Sequence, residues 1–312
     1  MVSALAATLG RPAWWSMALA AFLVRGGILM LLLPIVTLPS PAEIATALSP
    51  TISALAFGGL TPEVFLAILA IVVAALVVLG AGGLAGAWLD RGQLIEAATD
   101  EDLDLGWTPA HASVRDALSL RLAAHLPTLA AVAYATFRLI GATYDELLSP
   151  GDVAVPLLLR IVERAPDAVL VVAATWLAGE TVGALAVRRA AAGASFRAAL
   201  ARSARQLAGR RGLGTLLVTT LAVVAVLAPF LLLVARSWGH LRDVLLEGAH
   251  PVLVGAALLV LVATWILGLA ITGAALAWRT AAWTAEVAPA STTVAAATAL
   301  PVETPVETVA EA

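Results

Sequence analysis

Four ionisable residues stand inside long apolar runs of this 312-residue chain: Arg25, His125, Arg138 and Glu180. They are the candidate intramembrane polar site. A guanidinium at mid-bilayer costs roughly 2.5–3.5 kcal/mol or more on insertion scales, so Arg25 needs a partner, a cavity or a local distortion. Counting inward along each span at the helical rise, Arg25 lies roughly 16 Å and Glu180 roughly 12 Å from the same side. The long arginine stem closes that difference. The spacing therefore predicts an Arg25–Glu180 ion pair joining the first and fourth spans. Such a pair either fixes helix packing or binds an ion, a proton or a lipid headgroup. Arg138 falls near the outer end of its span and can snorkel to the interface. His125 falls near the inner end of the same span, just before Pro127, and reads as a hydrogen-bonded interfacial residue.

Motifs for soluble chemistry are absent. There is no cysteine, so thiolate, disulfide and Cys-based metal chemistry are excluded. No Walker A or His-Glu-x-x-His pattern occurs. Gly193-Ala194-Ser195-Phe196-Arg197 lacks the final glycine of a nucleophile elbow. Gly209-Arg210-Arg211-Gly212-Leu213-Gly214 precedes an apolar span rather than following a strand, and is expected to break a helix. Its backbone N–H groups with two arginines offer the other reading, an anion site. The acidic run Asp100–Asp104 has Leu105 and His111 where a calcium loop needs Gly and Glu. The sequence thus implies no cofactor and no metal.

The elements that must position the four residues are membrane helices. The chain is 61% hydrophobic and 12% charged, with mean hydropathy +0.98, whereas a soluble domain is about 25% charged. The expected fold is an all-α membrane protein with six transmembrane helices, at about 14–36, 64–88, 122–143, 167–187, 214–236 and 252–278. Residues 1–286 form the membrane domain and 287–312 a disordered cytoplasmic tail rich in Ala, Thr, Pro, Val and Glu. Proline opens several helices, at Pro62, Pro109, Pro166 and Pro251. Pro127 and Pro229 should kink spans three and five. Residues 41–58 and 153–164 read as short interfacial helices, either lids over helix ends or the rim of an entrance. Gly82-x-x-x-Gly86 and Gly179-x-x-x-Gly183 predict close helix approach in spans two and four. Glycine followed by arginine ends each even span (Gly86 to Arg91, Gly183 to Arg188, Gly273 to Arg279), which suggests three successive hairpins or, more simply, positive-inside anchoring.

Arginine counts orient the bundle. The second and fourth connections carry ten arginines and the odd-numbered ones three, which places both termini in the cytoplasm. Trp14, Trp15, Trp88, Trp278 and Trp283 then form an inner aromatic belt and Trp238 an outer one. The first span reads as uncleaved, because it exceeds a signal-peptide core. All 18 basic residues are arginine, a bias that suggests a GC-rich bacterial genome and hence the plasma membrane. The 188–211 segment is basic and amphipathic and should lie on anionic lipid. These features imply a multi-pass, non-enzymatic structural or accessory component of a membrane complex. The alternatives are a small transporter or permease-like subunit using Arg25 and Glu180, and a lipid-handling enzyme. The last is disfavoured by the lack of paired carboxylates or an activated nucleophile.

Overall fold

The computed structural model describes residues 2–32, 34–36, 62–100, 109, 111, 113–149, 151 and 157–287. About 90% of these are helical and none lies in a strand. The helices are α1 (Val2–Leu9), α2 (Pro12–Phe22), α3 (Ile28–Leu32), α4 (Pro62–Ala98), α5 (Val114–Ala124), α6 (Leu126–Leu148), α7 (Leu157–Arg164), α8 (Pro166–Ala191), α9 (Phe196–Ala208), α10 (Arg210–Leu246) and α11 (Pro251–Val287). A π-helical turn, Leu23–Gly27, joins α2 to α3. The 41–58 segment, the acidic run beyond Asp100 and the tail from 288 lie outside the described residues.

Among the described residues, five helical stretches are long and apolar enough to cross a membrane: Pro12–Leu32, Val114–Glu146, Pro166–Ala191, Arg210–Leu246 and Pro251–Val287. Their outward faces are apolar, with Leu221, Leu232, Leu259 and Ile266 each more than 60% exposed. Exposed side chains of this kind suit contact with lipid tails. Helix α4 is a further element of 37 residues, roughly 55 Å at 1.5 Å per residue.

Proline sets many of the starts. Pro12, Pro62, Pro166 and Pro251 are each the first residue of a helix, where the missing N–H leaves no bond unmade. Pro109 is different, because α5 begins only at Val114 after Ser113 in extended backbone. Pro127 does interrupt its span. The chain leaves helical geometry at His125, two residues earlier, and resumes at Leu126. Pro229 lies inside α10, which runs through it without a break. Gly209 separates α9 from α10 in extended backbone. The glycine-rich stretch after it is helical from Arg210, so it forms no phosphate-type loop.

The core is thin and rich in alanine. Helix α1, which the sequence did not suggest, buries Ala4 and Ala7 with Trp14, Ala18, Ala97, Ala277 and Ala281. Trp14 and Trp283 are therefore buried inside the bundle rather than in an interfacial belt. Helix α11 packs along α10, α2 and α1 and reaches α4 and α8. Helix α8 packs on α5, α6 and α9. The first and last spans are thus neighbours, and α4, α5, α8 and α11 come together.

Candidate functional site

The first span breaks at its arginine. Arg25 has φ −89° and ψ 15°, and Gly26 has φ 99°. Only glycine adopts that second conformation at little cost. The break turns Arg25 toward α4, where Gly82, Gly86 and Asp90 form one stripe at four-residue spacing. Gly82 lies against the Val24 carbonyl oxygen so closely that a Cβ would overlap it. Gly86 lies under the Arg25 stem, where a Cβ would meet Nε at 2.6 Å. Arg25 Nη2 donates to the Gly86 carbonyl oxygen at 2.8 Å and to Asp90 Oδ2.

A second break repeats this arrangement. His125 interrupts the α5–α6 span opposite Gly179 and Gly183 of α8. A Cβ on Gly179 would come to 3.0 Å from the Ala124 carbonyl oxygen, and one on Gly183 to 3.3 Å from Arg121 Cγ. Both small-x-x-x-small faces therefore do what their spacing predicts. Each lets a broken helix deliver an arginine into the bundle.

The two breaks meet through Asp90. Its Oδ2 accepts from Arg25 and, at 2.5 Å, from Arg121 Nη2. Arg121 Nη1 donates to Glu180 Oε2 at 3.0 Å. His125 Nε2 lies 3.6 Å from Glu180 Oε1, while its Nδ1 donates to the Arg121 carbonyl oxygen at 2.8 Å. The result is a chain of charges, Arg25–Asp90–Arg121–Glu180, running across three spans and α4, with the His125 ring beside Glu180. Arg25 and Glu180 do belong to one site, but they do not pair directly. Asp90 lies one turn beyond Gly86 on the stripe that Arg25 follows, so it takes Arg25 first. Arg121, on the helix packed against α8, takes Glu180.

Two further arginines face this site. Arg188, two turns beyond Glu180 on α8, is 4% exposed. It donates to Thr284 Oγ1 at 2.9 Å, the Ala184 carbonyl oxygen at 2.9 Å and the Thr280 carbonyl oxygen at 3.1 Å. Arg279 stacks on Trp283 at 4.1 Å. It interacts electrostatically with Glu180, Arg121 and Arg25. Both arginines read in the sequence as anchors at span ends. Neither is a plain anchor, because α8 and α11 continue past the apolar run and turn these residues inward.

Arg138 stands apart. It holds Asp167 through Nε at 3.0 Å and Nη2 at 3.2 Å, with Tyr134 Oη donating to the same carboxylate at 2.6 Å. Tyr134 and Arg138 are exposed on α6, and Asp167, in the first turn of α8, is partly exposed. Beyond them, buried Glu146 clasps α7, accepting from Arg164 Nε at 2.5 Å, Gly151 N at 2.7 Å and Arg160 Nη1 at 2.9 Å. That clasp holds the described part of the 153–164 segment against the bundle. Among the described residues, no three His, Asp or Glu side chains converge as a metal site.

Comparison of the chain with protein-family models, curated proteins and solved structures returns no match.

Proposed function

We propose that the chain is a six-span integral membrane protein of the bacterial plasma membrane, with α4 as the remaining crossing and both termini cytoplasmic. We further propose that it acts as a non-enzymatic structural or accessory component of a membrane complex. The observation that carries this reading is the charge chain from Arg25 through Asp90 and Arg121 to Glu180. Intramembrane charges that satisfy one another across helices fix packing. Here Asp90 and Glu180 are both occupied by arginines, and glycine stripes bring the backbones close enough for that contact. The arginine-rich connection between α8 and α10 supports the orientation. Arg197, Arg202, Arg205, Arg210 and Arg211 are all exposed there. They would contribute about 1 kcal/mol each toward an anionic lipid surface. Arg188 and Arg189 do not join them, since Arg188 is buried and Arg189 donates to Gln206.

A transporter or permease-like subunit is the second reading. Two spans broken beside one polar cluster favour it, because discontinuous helices often line intramembrane binding sites. Reconstitution separates the two. An accessory protein leaves proton and small-anion gradients in liposomes at the level of protein-free vesicles. It also migrates from native membranes in an assembly larger than its 31.8 kDa chain. Gradient loss that disappears in E180Q would favour transport instead.

A further inference from the structure

The inner charge chain does not balance. Arg25, Arg121, Arg188 and Arg279 interact electrostatically with one another and, among the described residues, face two carboxylates, Asp90 and Glu180. The surplus collects on α11. Arg279 Nε and Nη2 are sealed from solvent and have no hydrogen-bond acceptor among the described residues. Trp283 Nε1, one helical turn away on the ring that Arg279 stacks against, is in the same condition. Arg121 Nε joins them. Guanidinium and indole nitrogens can only donate, so only an acceptor relieves them. Buried donors without partners are rare, and each calls for a physical cause. Arg279 as a whole residue is half-buried, so part of it reaches the surface while Nε and Nη2 do not.

From these groups the geometry points to a site for a phosphate-type oxyanion, held by Arg279 and Trp283 with Arg121 and Arg188 behind them. A doubly charged tetrahedral anion offsets the surplus of two positive charges and presents several acceptor oxygens. Planar guanidinium binds such groups bidentately. Trp283 contributes an N–H at the side, and its ring fixes the plane of Arg279. The same chemistry is presented by inorganic phosphate and by the headgroup of a phosphomonoester lipid. The inference rests on the membrane placement of the bundle and is independent of the accessory role. Binding is read in nanodiscs and transport in liposomes, so the two ideas stand or fall separately.

The test uses the full chain in phosphatidylcholine nanodiscs. One arm titrates inorganic phosphate against chloride at matched ionic strength. The other compares nanodiscs with and without phosphatidic acid. A ligand that binds only the folded state raises the thermal midpoint in a saturable way. Wild type should show that rise, R279Q should lose it, and R242Q, at an exposed arginine near the end of α10 and outside the basic 188–211 segment, should keep it. A response to phosphate alone assigns a soluble oxyanion, and a response to phosphatidic acid alone assigns a lipid headgroup. Should R279Q not fold, R279K keeps the charge without the bidentate fork, and should bind about tenfold more weakly. No rise in either arm, an undiminished rise in R279Q, or wild-type affinity in R279K would overturn the site.

Discussion

Asp90 and Arg121 meet at 2.5 Å through an oxygen that also takes Arg25, so one carboxylate ties the broken first span to the helix leading into the third. Removing one partner of such a pair leaves charge unpaired in a low-dielectric interior, at a cost of about 3–5 kcal/mol. D90N should therefore lower the thermal midpoint in nanodiscs strongly. D167N should cost much less, because its arginine partner lies on an exposed face. Comparable losses from the two variants would contradict the central placement of Asp90.

Three glycines of α4 should rank by what lies above them. Gly82 faces rigid backbone at Val24, Gly86 faces the flexible Arg25 stem, and Gly80 faces open space. G82A should cost about 1–3 kcal/mol through overpacking. G86A should cost less, and G80A should be neutral or slightly stabilising from helix propensity. Denaturation midpoints in a common detergent give the order, and G80A as harmful as G82A would refute the close approach of α4 to the first span.

Gly26 has space around it but a left-handed backbone. G26A should therefore cost about 1–2 kcal/mol from conformation alone. The break is also what aims Arg25, so G26A should weaken the coupling of Arg25 to Asp90. A G26A protein with unchanged stability would mean that the first span does not break there.

Glu146 holds α7 through two arginines and the Gly151 amide. E146Q should speed hydrogen exchange across 157–164 while the C-terminal ends of α4 and α8 stay protected. Uniform exchange throughout the bundle would show that the clasp is not local.

Single cysteines test orientation cleanly, since the chain has none of its own. An impermeant maleimide applied to intact cells should label E247C, in the α10–α11 connection, and spare A201C on α9. The reverse pattern would invert the proposed topology.

Much of this was legible in the sequence. Apolar runs and prolines mark the helices, and the glycine stripes mark where backbones approach. Pro127 marks the second break, whereas the break at Gly26 was not read from the sequence. The partners were not legible, for a physical reason. A bilayer needs only about 20 apolar residues, but α4, α10 and α11 each run for 37. A boundary drawn by hydropathy therefore stops at 88 on α4 and starts at 122 on the third span. It excludes Asp90 and Arg121, although both lie on the same helical path as the spans they extend. Arg188 and Arg279 were hidden the same way, as residues just past a span end. The i, i+4 step from Gly86 to Asp90 was the available signal, because it puts a carboxylate on the very face that a close-packed helix must touch.

The most direct measurement is a double-mutant cycle on Arg25 and Asp90, with D90N, R25Q and the double variant unfolded in nanodiscs. Direct partners should show a coupling of about 0.5–3 kcal/mol, larger than the coupling of Arg25 to Glu180 in a parallel cycle. Effects that simply add to within about 0.3–0.5 kcal/mol would show that Arg25 and Asp90 are not partners, and would contradict the charge chain on which this account rests.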